Sequence, residues 1–347
     1  MTRLDYPLAT RRLEKTLTPV CPSYLRELVI LSDGAVTTCC LDSKGLNALG
    51  NVNEKSLDEI WRANGTPWHQ TNIEANRRGT PWSSAFCNTC FDMGSMVPFG
   101  VTRTDDPEAI RAFHDPTPPL PPNLVIEPTA SCNYACWGCA TGIGEIDRRK
   151  VLEMDIFRNH ILPAIPRVHQ VRLYDYGESF LHPHIVEMIR GLREANPRLH
   201  LDLSTNGVFM KPSICEALVE HQANYLTVSL HGGHTLQGML NYARRGVDLD
   251  AIKANVQYLA KVKRDRGSKL PWIFVKALLF DWDDSRDEME DFLEFGRELG
   301  ADFTGWDVNM SDPRRSSKRV APGTPAYRDL EARKLLLQNF YELPAWP

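Results

Sequence analysis

Three cysteines, Cys132, Cys136 and Cys139, fall within eight positions of the stretch SCNYACWGCATG, with three and then two residues between them. Counting coordination narrows what such a loop can hold. A structural zinc takes four protein ligands, usually as pairs from distant segments, and three cysteines in one tight loop leave that site incomplete. A four-iron four-sulfur cluster held by three thiolates leaves one iron without a protein ligand, and that iron can bind another molecule. A zinc site or inert buried thiols are the readings the residues by themselves leave open.

The remaining cysteines fall into a second group, Cys21, Cys39, Cys40, Cys87 and Cys90, with Cys215 alone. Nine cysteines in a chain whose start lacks an export signal argue against a disulfide framework, because the cytosol keeps thiols reduced. Metal or redox work is the leading reading. The run ELVILSDGAVTTC reads as two alternating strands around Asp33 and Gly34, a tight-turn signal, which places Cys39 at the end of a hairpin and Cys21 just before it. LGNVNEKSLDEIWRAN adds a turn and an amphipathic helix, and FCNTC supplies Cys87 and Cys90. Four cysteines can close one metal site, a zinc knot among the possibilities. Cys40 adjoins Cys39, and adjacent strand residues point to opposite faces, so a packed structural thiol is expected. Cys215 shares a helical pattern with Ile214 and Leu218 and is expected in the core.

The elements that must position these residues divide at HDPTPPLPPN, residues 114 to 123, where proline cannot continue a helix or a central strand. The expected organisation is a small α+β cysteine-rich domain over 1–112, a linker at 113–122, an α/β domain over 123–310, and a tail over 311–347 with a helix. In the α/β part the runs NLVIEPT, VHQVRLYDY, LHLDLST, YLTVSLH, WIFVKALLF and DFTGWDV alternate with helix patterns near 155–163, 183–196, 213–222, 250–267 and 286–299. That alternation predicts a mostly parallel sheet. Six strands are too few for the eight of a complete barrel, so a partial, six-unit β/α barrel is expected. Chemistry in such folds sits where strands end. Those ends carry Tyr176, Gly177 and Glu178, then Ser204, Asn206 and Gly207, then His231, Gly232 and Gly233.

Bulk properties restrict the partners. The chain has 347 residues, 42% hydrophobic and 24% charged, enough for a sizeable core and about two domains. With a formal net charge of −4 and scattered basic residues, nucleic acid is not an expected partner; Arg314, Arg315, Lys318 and Arg319 read as a solvated loop. No apolar run approaches the ~18 residues of a membrane helix, and a cytoplasmic location is expected.

The spacing of Cys132, Cys136 and Cys139 resembles the Cys-x3-Cys-x2-Cys signature of the radical S-adenosylmethionine (radical SAM) superfamily. The resemblance implies that the open iron chelates the amino and carboxylate groups of S-adenosylmethionine, and that a 5'-deoxyadenosyl radical then takes a hydrogen atom from a substrate. YDYGESF is similar to the family's Gly-Gly-Glu segment, which implies cofactor contacts at Tyr176, Gly177 and Glu178. LSTNG and VSLHG resemble the next strand ends, implying contacts at Ser204, Asn206 and Ser229. Two departures stand out: Tyr176 occupies the first glycine position, and Gly138, beside Trp137, precedes the last cysteine where an aromatic residue is common. Cys21, Gly34 and Cys39, the GNV…SLDEIW segment and the Cys87/Cys90 pair resemble the SPASM and twitch auxiliary-cluster modules, here ahead of the barrel rather than after it. Their cysteines suffice for one auxiliary 4Fe-4S cluster held by Cys21, Cys39, Cys87 and Cys90.

If all four thiolates bind that cluster, electron transfer is its natural role. The expected function is therefore a radical SAM oxidoreductase that takes a hydrogen atom from a polar small molecule, such as a sugar, aminocyclitol or other natural-product intermediate, and passes an electron to the auxiliary cluster. The alternatives are a peptide-modifying maturase forming cross-links or thioethers, and an epimerase, for which Cys40 and Cys215 are the candidate hydrogen donors. An external electron donor of flavodoxin or ferredoxin type is expected. His231, Lys276, Asp281 and Asp307, with His234 and Asn309, are the rim residues suited to bind a polar substrate or take a proton. Arg244 and Arg245 in YARRG resemble a stretch that orders the active-site mouth in SPASM-type relatives.

Overall fold

The computed structural model describes residues 18–20, 25–81, 87, 102–104, 111, 114–308 and 314–336. These fall into two units: one runs to Ile30 and resumes from Gly34 to Leu124, and the other takes Leu31–Asp33 together with the residues from Val125 onward.

In the first unit, β1 (Thr18–Val20) pairs antiparallel with β5 (Thr102–Thr104). β2 (Glu27–Ile30) pairs antiparallel with β3 (Ala35–Thr37), Ile30 opposite Val36, and β3 continues onto β4 (Gly50–Asn51), so the hairpin expected around Asp33 and Gly34 forms. Strand β3 stops at Thr37, which leaves Cys39 and Cys40 in the turn beyond it. The expectation of opposite faces for these two thiols therefore fails: the Cys40 side chain hydrogen-bonds Cys39. Helix α1 (Leu57–Ile60) starts at a capping box in which Ser56 Oγ accepts from Glu59 N and the Glu59 carboxylate accepts from Ser56 N. It passes through a π turn at Trp61–Gly65 into α2 (Thr66–Arg78). Leu28, Val29, Ile30, Val36, Leu57 and Ile60 close the core. The proline-rich stretch packs on this unit. Proline lacks the N–H a ladder needs, and the carbonyls of this run are satisfied by side chains instead: Trp61 Nε1 donates to Pro118 O at 3.0 Å and Gln70 Nε2 to Pro116 O at 2.7 Å.

The second unit is built on parallel strands in the order β11, β10, β9, β8, β7, β6. They are β6 (Asn123–Ile126), β7 (Gln170–Arg172), β8 (His200–Thr205), β9 (Tyr225–Ser229), β10 (Trp272–Leu279) and β11 (Phe303–Val308). Pairings β7–β8, β8–β9, β9–β10 and β10–β11 are all parallel. Every expected run forms a strand, although VHQVRLYDY shortens to three residues because its C-terminal part peels away to build the site. Between strands lie α3 (Met154–Ile156), continuous with π and 3-10 turns to Arg167, α4 (Ile185–Ala195), α5 (Pro212–Glu220), α6 (Leu236–Ala243), α7 (Leu249–Asp265) and α8 (Arg286–Glu298). Helix α4 buries Ile185, Met188, Ile189 and Leu192, the stripe a helix lays on a sheet. Helix α6 has no counterpart among the expected elements; at eight residues it is too short to set a clear period. In the tail, α9 (Pro325–Ala332) is the expected helix. Cys215 is fully buried in α5, its thiol pushed up to about 12 by burial, as a core residue should be.

Candidate functional site

Strand β6 ends at Ile126, and the chain then enters the loop that carries the three cysteines. Ala130 N donates to Lys150 O at 3.0 Å, closing the base of this loop. Its turn is tight enough that a Cβ on Gly142 would sit 1.9 Å from Cys136 O, so only glycine fits there. Arg148 staples the interior: Nε donates to Thr141 O at 3.0 Å, and Nη1 to Cys132 O at 3.0 Å and Tyr134 O at 2.9 Å. The outer side is tied to α6, with Ala135 N donating to Ala243 O at 2.9 Å and Trp137 Nε1 to Asn241 O at 3.1 Å. Trp137 then packs edge-on to Tyr242, with the Arg315 guanidinium 4.8 Å over its ring.

All three thiols are half-buried and open onto one cavity of about 300 Å³. Burial pushes the Cys132 thiol up to about 11 and raises Cys136 further. Among the described residues, no three His, Cys, Asp or Glu side chains converge on one point as ligands of a single ion do. A four-iron cluster binds each thiolate to a separate iron and needs sulfurs around a larger space, which the cavity provides. The loop therefore fits the group its spacing predicts.

The cavity's second wall is the segment after β7. Tyr176 N donates to Glu127 Oε1 at 3.2 Å, and Glu127, buried at the end of β6, also accepts from Ser32 N at 2.9 Å and Ser32 Oγ at 2.6 Å. A Cβ on Gly177 would lie 1.7 Å from Thr129 O, so the segment presses against the base of the cysteine loop. Glu178 N donates to Ser131 O at 2.8 Å. The Glu178 side chain, 3% exposed, spends both oxygens on protein: Oε1 accepts from Thr205 Oγ1 at 2.8 Å and Phe180 N at 3.2 Å, and Oε2 accepts from Asn206 N at 2.7 Å. Burial raises its carboxyl above the ordinary range against the pull of those three donors. Glu178 thus braces the end of β8, a role its place in the Gly-Glu segment did not announce.

The third wall is that strand end and its neighbour. Ser204 and Ser229 face the cavity with their hydroxyls 3.4 Å apart, and Asn206 Nδ2 donates to Asn133 Oδ1 at 2.7 Å, tying β8 back to the cysteine loop. Tyr134, Tyr174, Asp175, His231 and Tyr242 also line the cavity; sequence reasoning found only His231 among them. Tyr242 sits on α6, and Tyr174 and Asp175 lie past the end of β7 in the YDYGESF stretch, of which only Tyr176, Gly177 and Glu178 were expected to contact the cofactor.

His231 stacks edge-on to Tyr242 with ring centroids 5.2 Å apart, and its Nδ1 is buried without a hydrogen-bond partner. Burial and the positive charge of Lys276 hold its imidazole down at about 3, so it is neutral. Lys276, on β10, is lowered by burial and lies 4.0 Å from the Asp307 carboxylate on β11. Neither Lys276 nor Asp307 lines the cavity directly, and Asp281 is exposed on the loop after β10, its backbone N donating to Arg315 O at 3.1 Å. The N-cap of α8 is Ser285, whose hydroxyl accepts from Glu288 N. Of the other rim residues, His234 also buries an unpartnered Nδ1, Arg244 and Arg245 are exposed where α6 ends, and Asn309 lies outside the described residues.

In the first unit, Cys39 and Cys87 are half-buried. Asp42 organises the loop after Cys39: its carboxylate accepts from Thr37 Oγ1 at 2.6 Å, Leu46 N at 2.7 Å and Asn47 N at 2.7 Å. Asn47 Nδ2 in turn donates to Cys87 Sγ at 3.3 Å, which brings Cys87 against that loop. Soft thiolates such as these are the ligand type an iron-sulfur cluster takes. Cys21 and Cys90 lie outside the described residues.

Residues 126–295 match the radical SAM superfamily, and residues 21–91 match the SPASM family, described as an iron-sulfur cluster-binding domain. Similar solved structures include Streptococcus suis SuiB bound to S-adenosylmethionine, at 18% identity and TM-score 0.45, covering 56% of this chain and 42% of that one. Another is native anSMEcpe with bound AdoMet, at 14% identity and TM-score 0.43, covering 54% of this chain and 51% of that one. The chain thus spans about half the length of these structures or less. No curated protein matches the chain. The two matched domains imply S-adenosylmethionine and 4Fe-4S clusters as cofactors. Among the described residues, no helix is long and apolar enough to cross a membrane.

Proposed function

We propose a reaction for this chain, which belongs to the radical SAM superfamily and carries a SPASM domain ahead of its barrel: the two-electron oxidation of a polar small molecule in the cytoplasm. The observation that carries the reading is the single cavity lined at once by three half-buried thiols, a pair of serine hydroxyls and a neutral imidazole. Cys132, Cys136 and Cys139 would hold the first cluster, and Cys39 and Cys87, with Cys21 and Cys90, the auxiliary one. When bound, S-adenosylmethionine and the first cluster supply a radical able to remove a hydrogen atom from carbon.

The chain's own residues do the rest. Ser204 and Ser229 offer hydroxyls, and the 176–178 segment offers backbone groups, to orient the cofactor. Asn206, anchored on Asn133, keeps that wall fixed against the loop. His231, neutral and with a buried, unpartnered Nδ1, would accept a hydrogen bond from a substrate hydroxyl or amine and so orient it. Burial, with the Lys276 charge beside it, keeps His231 neutral, and Asp307 balances Lys276. Cys39 and Cys87 would help hold the auxiliary cluster, which would take the second electron and hand it to an oxidised acceptor, while an external flavodoxin- or ferredoxin-type donor would supply the electron that reduces the first cluster.

Anaerobic reconstitution tests this. Two clusters, about eight irons per chain, and a product two hydrogens lighter than its substrate are the expected results. About four irons, or deuterium uptake from solvent without loss of mass, would refute the oxidation.

A further inference from the structure

Two neighbouring arginines in IDRRK behave differently. Arg149 is exposed and forms a two-pronged pair with Asp147, Nε to Oδ1 and Nη2 to Oδ2 both at 3.0 Å, so its charge is cancelled at the surface. Arg148 turns inward. Its guanidinium meets three backbone carbonyls, Cys132, Tyr134 and Thr141, which bracket the cysteine loop from its first thiol to beyond its third. Its own carbonyl accepts from Ser131 Oγ, so the residue is held at both ends. Among the described residues, no carboxylate pairs with Arg148, and its charge is left whole.

We propose that Arg148 is a positioning residue with two functions: its fork fixes the backbone of the three-cysteine loop, and its uncancelled charge stabilises the reduced state of the cluster held there. The inference rests on the radical SAM reading of that loop. Each one-electron reduction adds a negative charge to the cluster, and net charge and hydrogen bonding around a cluster set its potential. The fork matters separately from the charge. A guanidinium can serve carbonyls in two directions in one plane, while a lysine ammonium supplies the charge as a point without that geometry.

The two functions separate in two variants of the full chain, Arg148→Lys and Arg148→Met, each reconstituted anaerobically beside wild type. Paramagnetic resonance during a reductive titration reads the potential, the relevant signal being the one that changes when S-adenosylmethionine is added. For Arg148→Met the reduction equilibrium constant falls at least tenfold, equivalent to about 59 mV for a one-electron couple. Arg148→Lys keeps the wild-type equilibrium within threefold but binds S-adenosylmethionine at least fivefold more weakly, because the loop backbone has lost its fork. Wild-type potential and wild-type S-adenosylmethionine binding in Arg148→Met overturn the proposal, as does a lysine variant that shifts in potential as far as the methionine variant. If Arg148→Met assembles no cluster, the lysine variant decides: assembly at wild-type potential supports the charge role, and assembly at a potential shifted by tenfold or more in the equilibrium constant overturns it. A wild-type protein with no S-adenosylmethionine-responsive signal would instead remove the radical SAM reading itself.

Discussion

Replacing Glu178 by glutamine separates a cofactor ligand from a structural brace. The carboxylate accepts three buried hydrogen bonds, from Thr205 Oγ1 and Phe180 N on one oxygen and from Asn206 N on the other. A glutamine amide presents one oxygen and one NH2. If its oxygen takes the Oε1 place, the NH2 faces the Asn206 N–H, donor against donor. If it flips, the NH2 is tolerated by the rotatable Thr205 hydroxyl, but the Phe180 N–H loses its acceptor. Either way one buried N–H is orphaned, at a cost of about 1–3 kcal/mol, and the surviving bonds lose their charge assistance. Against this, burial disfavours the ionised carboxyl, so a neutral amide recovers part of that penalty. The net expectation is a destabilisation of about 2 kcal/mol for Glu178→Gln and about 4 kcal/mol for Glu178→Ala, which orphans all three donors. For a unit of this size that corresponds to a melting temperature lower by about 4–8 °C in the glutamine variant. Thermal and urea unfolding without S-adenosylmethionine is the assay, with cofactor binding measured in parallel. Both variants melting like wild type while cofactor binding collapses would refute the brace and leave Glu178 as a ligand alone.

Other expectations follow from the same geometry. Gly177→Ala places a methyl 1.7 Å from Thr129 O and should destabilise the second unit by about 3 kcal/mol, read as a lower urea midpoint at unchanged slope. Glu127→Ala removes the acceptor that Ser32 N–H and Oγ–H and Tyr176 N–H share, and should cost about 2–4 kcal/mol and weaken S-adenosylmethionine binding; Ser32→Ala, which keeps the Tyr176 contact, should cost less than half as much. His231, held down at about 3, stays neutral in the folded protein at pH values where it is protonated once unfolded. Its contribution is fully present above the unfolded value of about 6.5 and is lost as pH falls towards 3. His231→Gln should therefore flatten the fall in stability between pH 6.5 and about 4, and an unchanged pH profile would refute the buried, neutral state.

Motif-bearing parts of the site were legible because backbone spacing alone defines them. Cys132, Cys136 and Cys139 share one loop, and strand ends carrying Tyr176 to Glu178, Ser204, Asn206, Ser229 and His231 follow from alternation interrupted by glycine and polar residues. The braces were not legible. Glu127 meets Ser32 across 95 residues and Tyr176 across 49, and contacts at that separation leave no periodic trace. Arg148 looks like its neighbour Arg149 in the sequence, and only the fold turns one inward and leaves the other on Asp147. Asp281 failed as a cavity residue because the chain leaves β10 outward at that point, whereas Tyr242 entered through α6, a helix too short to announce itself.

The sequence by itself determined the type of chemistry, because three thiols in one loop set the number of ligands a cluster can receive whatever surrounds it. It also determined the order of strands and helices, since the periods of 2 and 3.6 residues are local properties of the backbone. Tertiary structure decided what those groups are held by and which charges they feel. Burial, the neutrality of His231, the saturation of Glu178 and the inward turn of Arg148 depend on residues brought together from far along the chain, and desolvation acts only once the chain has closed around them.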